Sequence, residues 1–382
     1  MPVLRAAAIL GLLLAPSFVW AGETDSSSNS ITATEPAISE SLRREARAAV
    51  DRSCTWLINM QNDDGHWSSS EFPALTALPV WGLVLAGHIK SESVRKGTEY
   101  ILTCVQKDGS IWRQPSETRK GGGLSNYNTA LCMVALHAAD RTRFSKVVMG
   151  ARNFLSRAQH TSRDKFQGGM GYDADTGRPY ADLSNSYIAY EAMKLTADLR
   201  MLEDEHPSAD LDWDAARAFV ASLQNDDGGF IYKPGQSMAG ADTNKTGEVT
   251  FRSYGSMTYA GLLSLVYADV DKNDPRVKSA FDWATTYWTL EENPGMGLEG
   301  LFYFYNVLTK ALSVYDADTL TLPGGKEISW RSEITRKIVN LQKIDPADGS
   351  GYWANEASRW MEADPVLVTA YAVISLLVAL GE

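Results

Sequence analysis

The chain has 382 residues, 44% hydrophobic and 22% charged, an ordinary globular balance that fits two domains or one closed repeat fold. A net charge of −11 without a basic cluster excludes a nucleic-acid-binding groove. With only Cys54, Cys104 and Cys132, a disulfide-stapled scaffold is excluded too, and all three are expected as buried free thiols.

The N-terminus reads as an export signal over residues 1–21. Arg5 supplies the positive charge, residues 6–19 are apolar, and Val19-Trp20-Ala21 forms a cleavage site before Gly22. The apolar run is shorter than the roughly 20 residues of a spanning helix, and no later stretch is long and apolar enough to cross a membrane. Residues 22–39 are Ser/Thr-rich and read as a flexible polar leader. The expected location is therefore outside the cytoplasm, periplasmic or secreted.

From residue 40 two kinds of helical segment alternate. Residues 40–60, 93–106, 145–159, 213–224, 275–289 and 328–342 mix charge with apolar positions at helical spacing. Residues 74–87, 126–140, 185–198, 254–269, 299–313 and 365–381 are nearly free of charge, as in Asn128-Thr-Ala-Leu-Cys-Met-Val-Ala-Leu-His137. A helix that is apolar all round is buried all round. The alternation predicts an all-α (α/α)6 toroid over residues 40–382, with six outer helices wrapped on six inner ones. Asp364-Pro365 is the clearest helix start, a capping side chain followed by proline at the first helical position. No segment alternates with period two for more than four residues, so strands are not expected.

The joints between paired helices repeat. Gln61-Asn-Asp-Asp-Gly65-His-Trp67, Gln106-Lys-Asp108-Gly109-Ser-Ile-Trp112, Gln224-Asn-Asp-Asp-Gly228-Gly-Phe230 and Gln342…Asp348-Gly349-Ser-Gly-Tyr-Trp353 are four copies. The third joint, residues 159–171, carries an insertion, and the fifth, near residues 289–297, has lost the motif. The glycines suit the positive φ that follows a helix, the glutamine suits loop backbone, and the aromatic suits the next helix. This is expected to be a structural staple.

Such Gln-x-x-Asp-Gly-x-Trp joints resemble the repeats of squalene–hopene cyclases and of protein prenyltransferase β-subunits. Ser253-Tyr-Gly-Ser-Met-Thr-Tyr-Ala260 and Arg359-Trp-Met-Glu-Ala-Asp-Pro-Val-Leu-Val-Thr-Ala370 resemble exported single-toroid members of that superfamily. The resemblance implies a bore that takes an apolar or isoprenoid molecule. In the cyclases an Asp-x-Asp-Asp-Thr motif opens an inner helix, and its middle Asp protonates the alkene. The matching stretch is Asp182-Leu-Ser184-Asn185-Ser186, which puts a hydroxyl where that acid belongs. Squalene cyclisation is therefore not expected. Asp182 is expected to cap its helix, ionised by the helix N-terminus. The zinc ligands of the prenyltransferases have no matching trio: Cys132 and His137 share a helix at a spacing that turns them apart. No metal and no cofactor are expected. Asp173-Ala-Asp175-Thr-Gly177 lacks the glutamate of a calcium loop and reads as a surface turn.

All inner-helix N-termini of a toroid meet at one end. Asp182, Glu299 and Asp364 are the candidate acids there, and Tyr127, Asn128, Asn185, Tyr254, Tyr303 and Trp360 the candidate ligand contacts. The expected function is an exported terpene-cyclase-like or prenyltransferase-like protein that binds or processes a hydrophobic small molecule, its catalytic status open. The alternatives are a non-catalytic binding or scaffold toroid with an unidentified protein partner, and a polysaccharide lyase or hydrolase. A hydrolase would need two carboxylates across the cavity.

Overall fold

The computed structural model describes residues 38–114, 122–174, 179–202 and 209–382. The export signal, nearly all of the leader and most of the Asp173–Gly177 turn lie outside the described residues. Twelve α-helices are described, and each falls on a predicted segment. The outer helices are α1 (Glu40–Asn59), α3 (Glu92–Leu102), α5 (Ser145–Ala158), α7 (Trp213–Ala221), α9 (Pro275–Thr286) and α11 (Trp330–Asn340). The inner helices are α2 (Ala74–Leu85), α4 (Ser125–Asp140), α6 (Leu183–Leu195), α8 (Gly255–Tyr267), α10 (Leu301–Tyr315) and α12 (Pro365–Leu380).

Burial follows the charge pattern. On α1 the buried positions Leu42, Ala46, Ala49, Val50, Ser53, Cys54 and Leu57 recur every three or four residues, which is one helical face. On α12 every residue from Val366 to Leu380 is buried. Inner helices pack in the order α2, α4, α6, α8, α10, α12 and back to α2, and α11 returns to α1, so both rings close. Ser39, Ser91, Asp212, Asp274, Ser329 and Asp364 cap their helices through side-chain oxygens. Cys54, Cys104 and Cys132 are free and buried, as expected.

Four joint glutamines tie one outer helix to the next or to its cap. Gln61 donates to Gly65 O at 2.9 Å within its own loop and to Ser93 O at 3.0 Å on α3. Gln224 likewise reaches Gly228 O (2.9 Å) and Arg276 O on α9 (2.8 Å). Gln159, in the joint with the insertion, reaches Gly168 O (2.8 Å) and Asp212 O (3.1 Å). Gln342 closes the circle by donating to Ala49 O on α1 at 2.8 Å. Gln106 departs from the pattern and bonds only its own joint, at Cys104 O and Trp112 O.

The motif glycines have φ of +95° (Gly65), +91° (Gly109), +87° (Gly228) and +74° (Gly349), the expected left-handed backbone. A Cβ on Gly228 would lie 2.2 Å from Ser279 O of α9, so close approach of neighbouring backbone is a second reason for glycine there. One feature escaped the sequence reading. A residue at or next to the end of the joint donates its N–H to a threonine hydroxyl on the next inner helix: Trp67 to Thr76, Ile111 to Thr129, Phe230 to Thr258 and Trp353 to Thr369.

Three two-stranded hairpins were not expected: β1 (Ala241–Thr243) with β2 (Val249–Phe251), β3 (Leu320–Thr321) with β4 (Glu327–Ile328), and β5 (Lys343–Ile344) with β6 (Gly351–Tyr352). Each is two or three residues long, too short to show alternation. Among the described residues no helix is long and apolar enough to cross a membrane.

Candidate functional site

A cavity of about 210 Å³ opens where the inner-helix N-termini meet. Its wall is mainly Leu75, Leu78, Met257 and Leu367 with the rings of Tyr127, Tyr172, Tyr232, Tyr254, Tyr303, Trp360 and Tyr371. Five predicted contacts line it: Tyr127, Asn128, Tyr254, Tyr303 and Trp360. Asn128 lines it with its polar atoms already engaged. Its amide oxygen accepts from Ala74 N (2.9 Å) and its amide nitrogen donates to Gly123 O (2.8 Å), so it organises the start of α2.

Hydroxyls pair across the cavity. Ser184 Oγ and Tyr303 OH are 2.9 Å apart, and Tyr127 OH and Tyr371 OH are 3.4 Å apart. Tyr232 OH donates to Tyr172 OH at 3.3 Å and lies 3.2 Å from Tyr180 OH. Ser184, set aside above as an acid, is thus the residue of its motif that faces the cavity.

The predicted acids are not among the lining residues. Asp182 is fully buried at the N-terminus of α6, and its carboxylate accepts from Asn185 N (2.8 Å) and Asn185 Nδ2 (2.7 Å). Asn185 is thereby turned onto Asp182. The expected cap is present, but the carboxyl is shifted up rather than down. Burial pushes the Asp182 carboxyl up to about 6, and its hydrogen bonds to Asn185, Tyr180 and Tyr232 offset this only in part. Glu299 faces outward, 40% exposed, and pairs with Arg359 at 2.6 Å. Asp364 caps α12 by accepting from Val366 N at 2.9 Å. Both are held by local geometry rather than by the bore.

The carboxylate that does line the cavity is Glu362, which the sequence reading missed. It accepts from Tyr303 N (2.7 Å) and Phe302 N (3.3 Å) at the start of α10, and from Asn355 Nδ2 (2.6 Å). Burial raises its pKa, against those three bonds. Its neighbours Trp360 and Met361 form the rim. Both have left-handed backbone, φ +57° and +66°, which costs on the order of 1–3 kcal/mol each and persists only where surroundings impose it. The Trp360 ring packs on Gly300, and the Arg359 guanidinium lies 4.5 Å over that ring.

Two helical turns further along α6 and α10, Glu191 and Lys310 form a buried ion pair at 3.0 Å. Tyr187 and Tyr267 donate to Glu191 at 3.3 and 3.2 Å, and Lys310 lies 4.5 Å over the Trp81 ring. Desolvation lowers the Lys310 pKa, and Glu191 opposes it. The seven-residue steps from Ser184 to Glu191 and from Tyr303 to Lys310 put this pair about 10 Å along the bore from the hydroxyl layer. His137, with no zinc partners expected, pairs with Asp198 at 3.1 Å.

Comparison with solved structures places this architecture. The apo structure of type II terpene cyclase MstE from Scytonema aligns with a TM-score of 0.53 and 13% identity, over 89% of this chain and 99% of that one. An MstE variant in complex with merosterolic acid A, its product, gives 0.53 and 12%, over 90% and 99%. Another, with the substrate geranylgeranyl dihydroxybenzoate, gives 0.51 and 12%, over 89% and 98%. No protein-family model and no curated protein matches the chain. Identity this low carries the fold and leaves chemistry to the residues of the cavity. The chain shares the helical toroid fold of type II terpene cyclase MstE.

Proposed function

We propose that this protein binds an isoprenoid or comparable apolar small molecule in the mouth of its toroid and does not cyclise squalene. The observation that carries this reading is the wall itself: apolar side chains and eight aromatic rings around about 210 Å³, with tyrosine and serine hydroxyls among them. A dry apolar cavity of about 150 Å³ holds benzene, and common ligand pockets span about 300–1,000 Å³. The cavity therefore suits one end of an isoprenoid chain, with the remainder passing out beneath Trp360.

The chemistry of polyene cyclisation is not supported. It needs a strongly activated carboxylic acid facing the alkene. Ser184 occupies that place, and Asp182 stands behind it with both oxygens bonded to Asn185. A sugar hydrolase or lyase is supported no better. Among the lining residues there is one carboxylate and no Lys or Arg, where an inverting hydrolase needs two carboxylates.

Export from the cytoplasm is part of the proposal and rests on the N-terminal pattern alone; protein sequencing of exported material should begin at Gly22. The test of function is extraction of the protein purified from its native compartment, with mass spectrometry of the bound molecules. An isoprenoid or other apolar molecule is expected at near-equal molar ratio, and a Leu78→Trp variant that fills the cavity should lose it. Ligand-free protein that also ignores added isoprenoids would contradict the reading, as would hopanoid products from squalene.

A further inference from the structure

We infer that the ligand is a neutral isoprenoid carrying one oxygen function, an alcohol, phenol or carbonyl, and not an isoprenoid diphosphate. This rests on the apolar-ligand reading above and adds the chemistry of the polar end.

No Lys or Arg lines the cavity. Three cations lie near it and are engaged with other groups: Arg359 with Glu299 on the rim, Lys310 with Glu191 deeper in the bore, and Lys233 over the Tyr180 ring. The one carboxyl group among the lining residues is Glu362, whose oxygens already accept from Tyr303 N, Phe302 N and Asn355. A diphosphate placed here would be stripped of water with no counter-charge, and beside a carboxyl group. That is the costly case of polar burial.

The hydrogens point to the opposite preference. Each hydroxyl has one hydrogen and two lone pairs, so a hydroxyl pair uses one hydrogen between its members and leaves the other for a third partner. The Ser184–Tyr303 and Tyr127–Tyr371 pairs each leave one. Tyr172 is more closely determined. Its oxygen accepts from Tyr232 OH at 3.3 Å, so its own hydrogen is not used in that bond and is left for a third partner. The polar part of the wall therefore donates to a neutral oxygen. A ligand without oxygen would leave those donors unanswered.

The test is equilibrium binding of three probes of one chain length to the full protein: farnesol, farnesyl diphosphate and farnesene. Calorimetry and tryptophan fluorescence both read it. Farnesol should bind about threefold to tenfold tighter than farnesene, the value of one net hydrogen bond, and at least about tenfold tighter than the diphosphate. Tyr172→Phe and Tyr303→Phe should reduce the farnesol advantage while leaving farnesene affinity within twofold, which controls for folding. Equal binding of farnesol and farnesene, or a diphosphate that binds as well as the alcohol, overturns the inference and leaves the apolar-ligand reading standing. Binding of none of the three overturns both.

Discussion

Asp182 shows how a single residue can follow two rules that disagree. A helix N-terminus favours a carboxylate by about 0.3–1 kcal/mol, while full burial raises a carboxyl pKa by up to several units. Burial wins here, and the pKa of about 6 lies above the 3.8 of the unfolded chain. The sign follows. The folded protein holds this proton where the unfolded chain has lost it, so the contribution is fully present below pH about 4. It is lost as the pH rises through 6. At about 1.4 kcal/mol per pKa unit the loss approaches 3 kcal/mol. Denaturant unfolding at pH 4.5 and 7.5 should show this fall in wild type, and Asp182→Asn, which keeps a capping side chain, should flatten it. An unchanged pH slope in the variant would assign the proton to another group. The same comparison explains why the site was only partly legible. Asp182, Glu299, Glu362 and Asp364 look alike in the sequence, all close to inner-helix starts. Which one faces the bore depends on cap geometry and on the left-handed turn at Trp360 and Met361, and neither leaves a periodic signal. Tyrosines fared better, because a ring on the first turn of a charge-free helix has the bore as its main destination.

At the scale of elements, helices were legible because their signal is long. Six charge-poor segments of fourteen to seventeen residues repeat the same message, and all six are inner helices. The hairpins were not, since Leu320–Thr321 and its partner give no period to detect, although Pro323-Gly324-Gly325 between them marks a turn. The joints allow a sharper test of why their glycines are there. Gly228 combines φ of +87° with Ser279 O 2.2 Å from a would-be Cβ, whereas Gly349 has φ of +74° and open space. Gly349→Ala should cost the left-handed backbone alone, about 1–2 kcal/mol. Gly228→Ala must also push α9 away, weakening the Gln224 bonds, and should cost at least about 1–2 kcal/mol more. Thermal or denaturant unfolding measures both. Equal losses would mean that close approach contributes nothing and that positive φ is the whole reason for the motif.

The whole molecule is a closed ring whose bore is layered. Apolar and aromatic side chains form the mouth, hydroxyl pairs sit on the early turns of the inner helices and on the loops before them, and the Glu191–Lys310 pair lies two turns beyond Ser184 and Tyr303. That pair is weak evidence for stability, since buried pairs often do no better than apolar residues of the same volume. Its place in the bore limits how far an apolar chain can run before it meets charge. The account turns on what enters from the mouth, and a crystal structure of the full chain grown with farnesol tests that most directly. Density for the ligand is expected between Tyr303 and Trp360, its oxygen within hydrogen-bond distance of Tyr172, Ser184 or Tyr303 and its tail against Leu78 and Met257. An empty cavity at saturating farnesol, or farnesol bound only on the outer ring, would contradict the account.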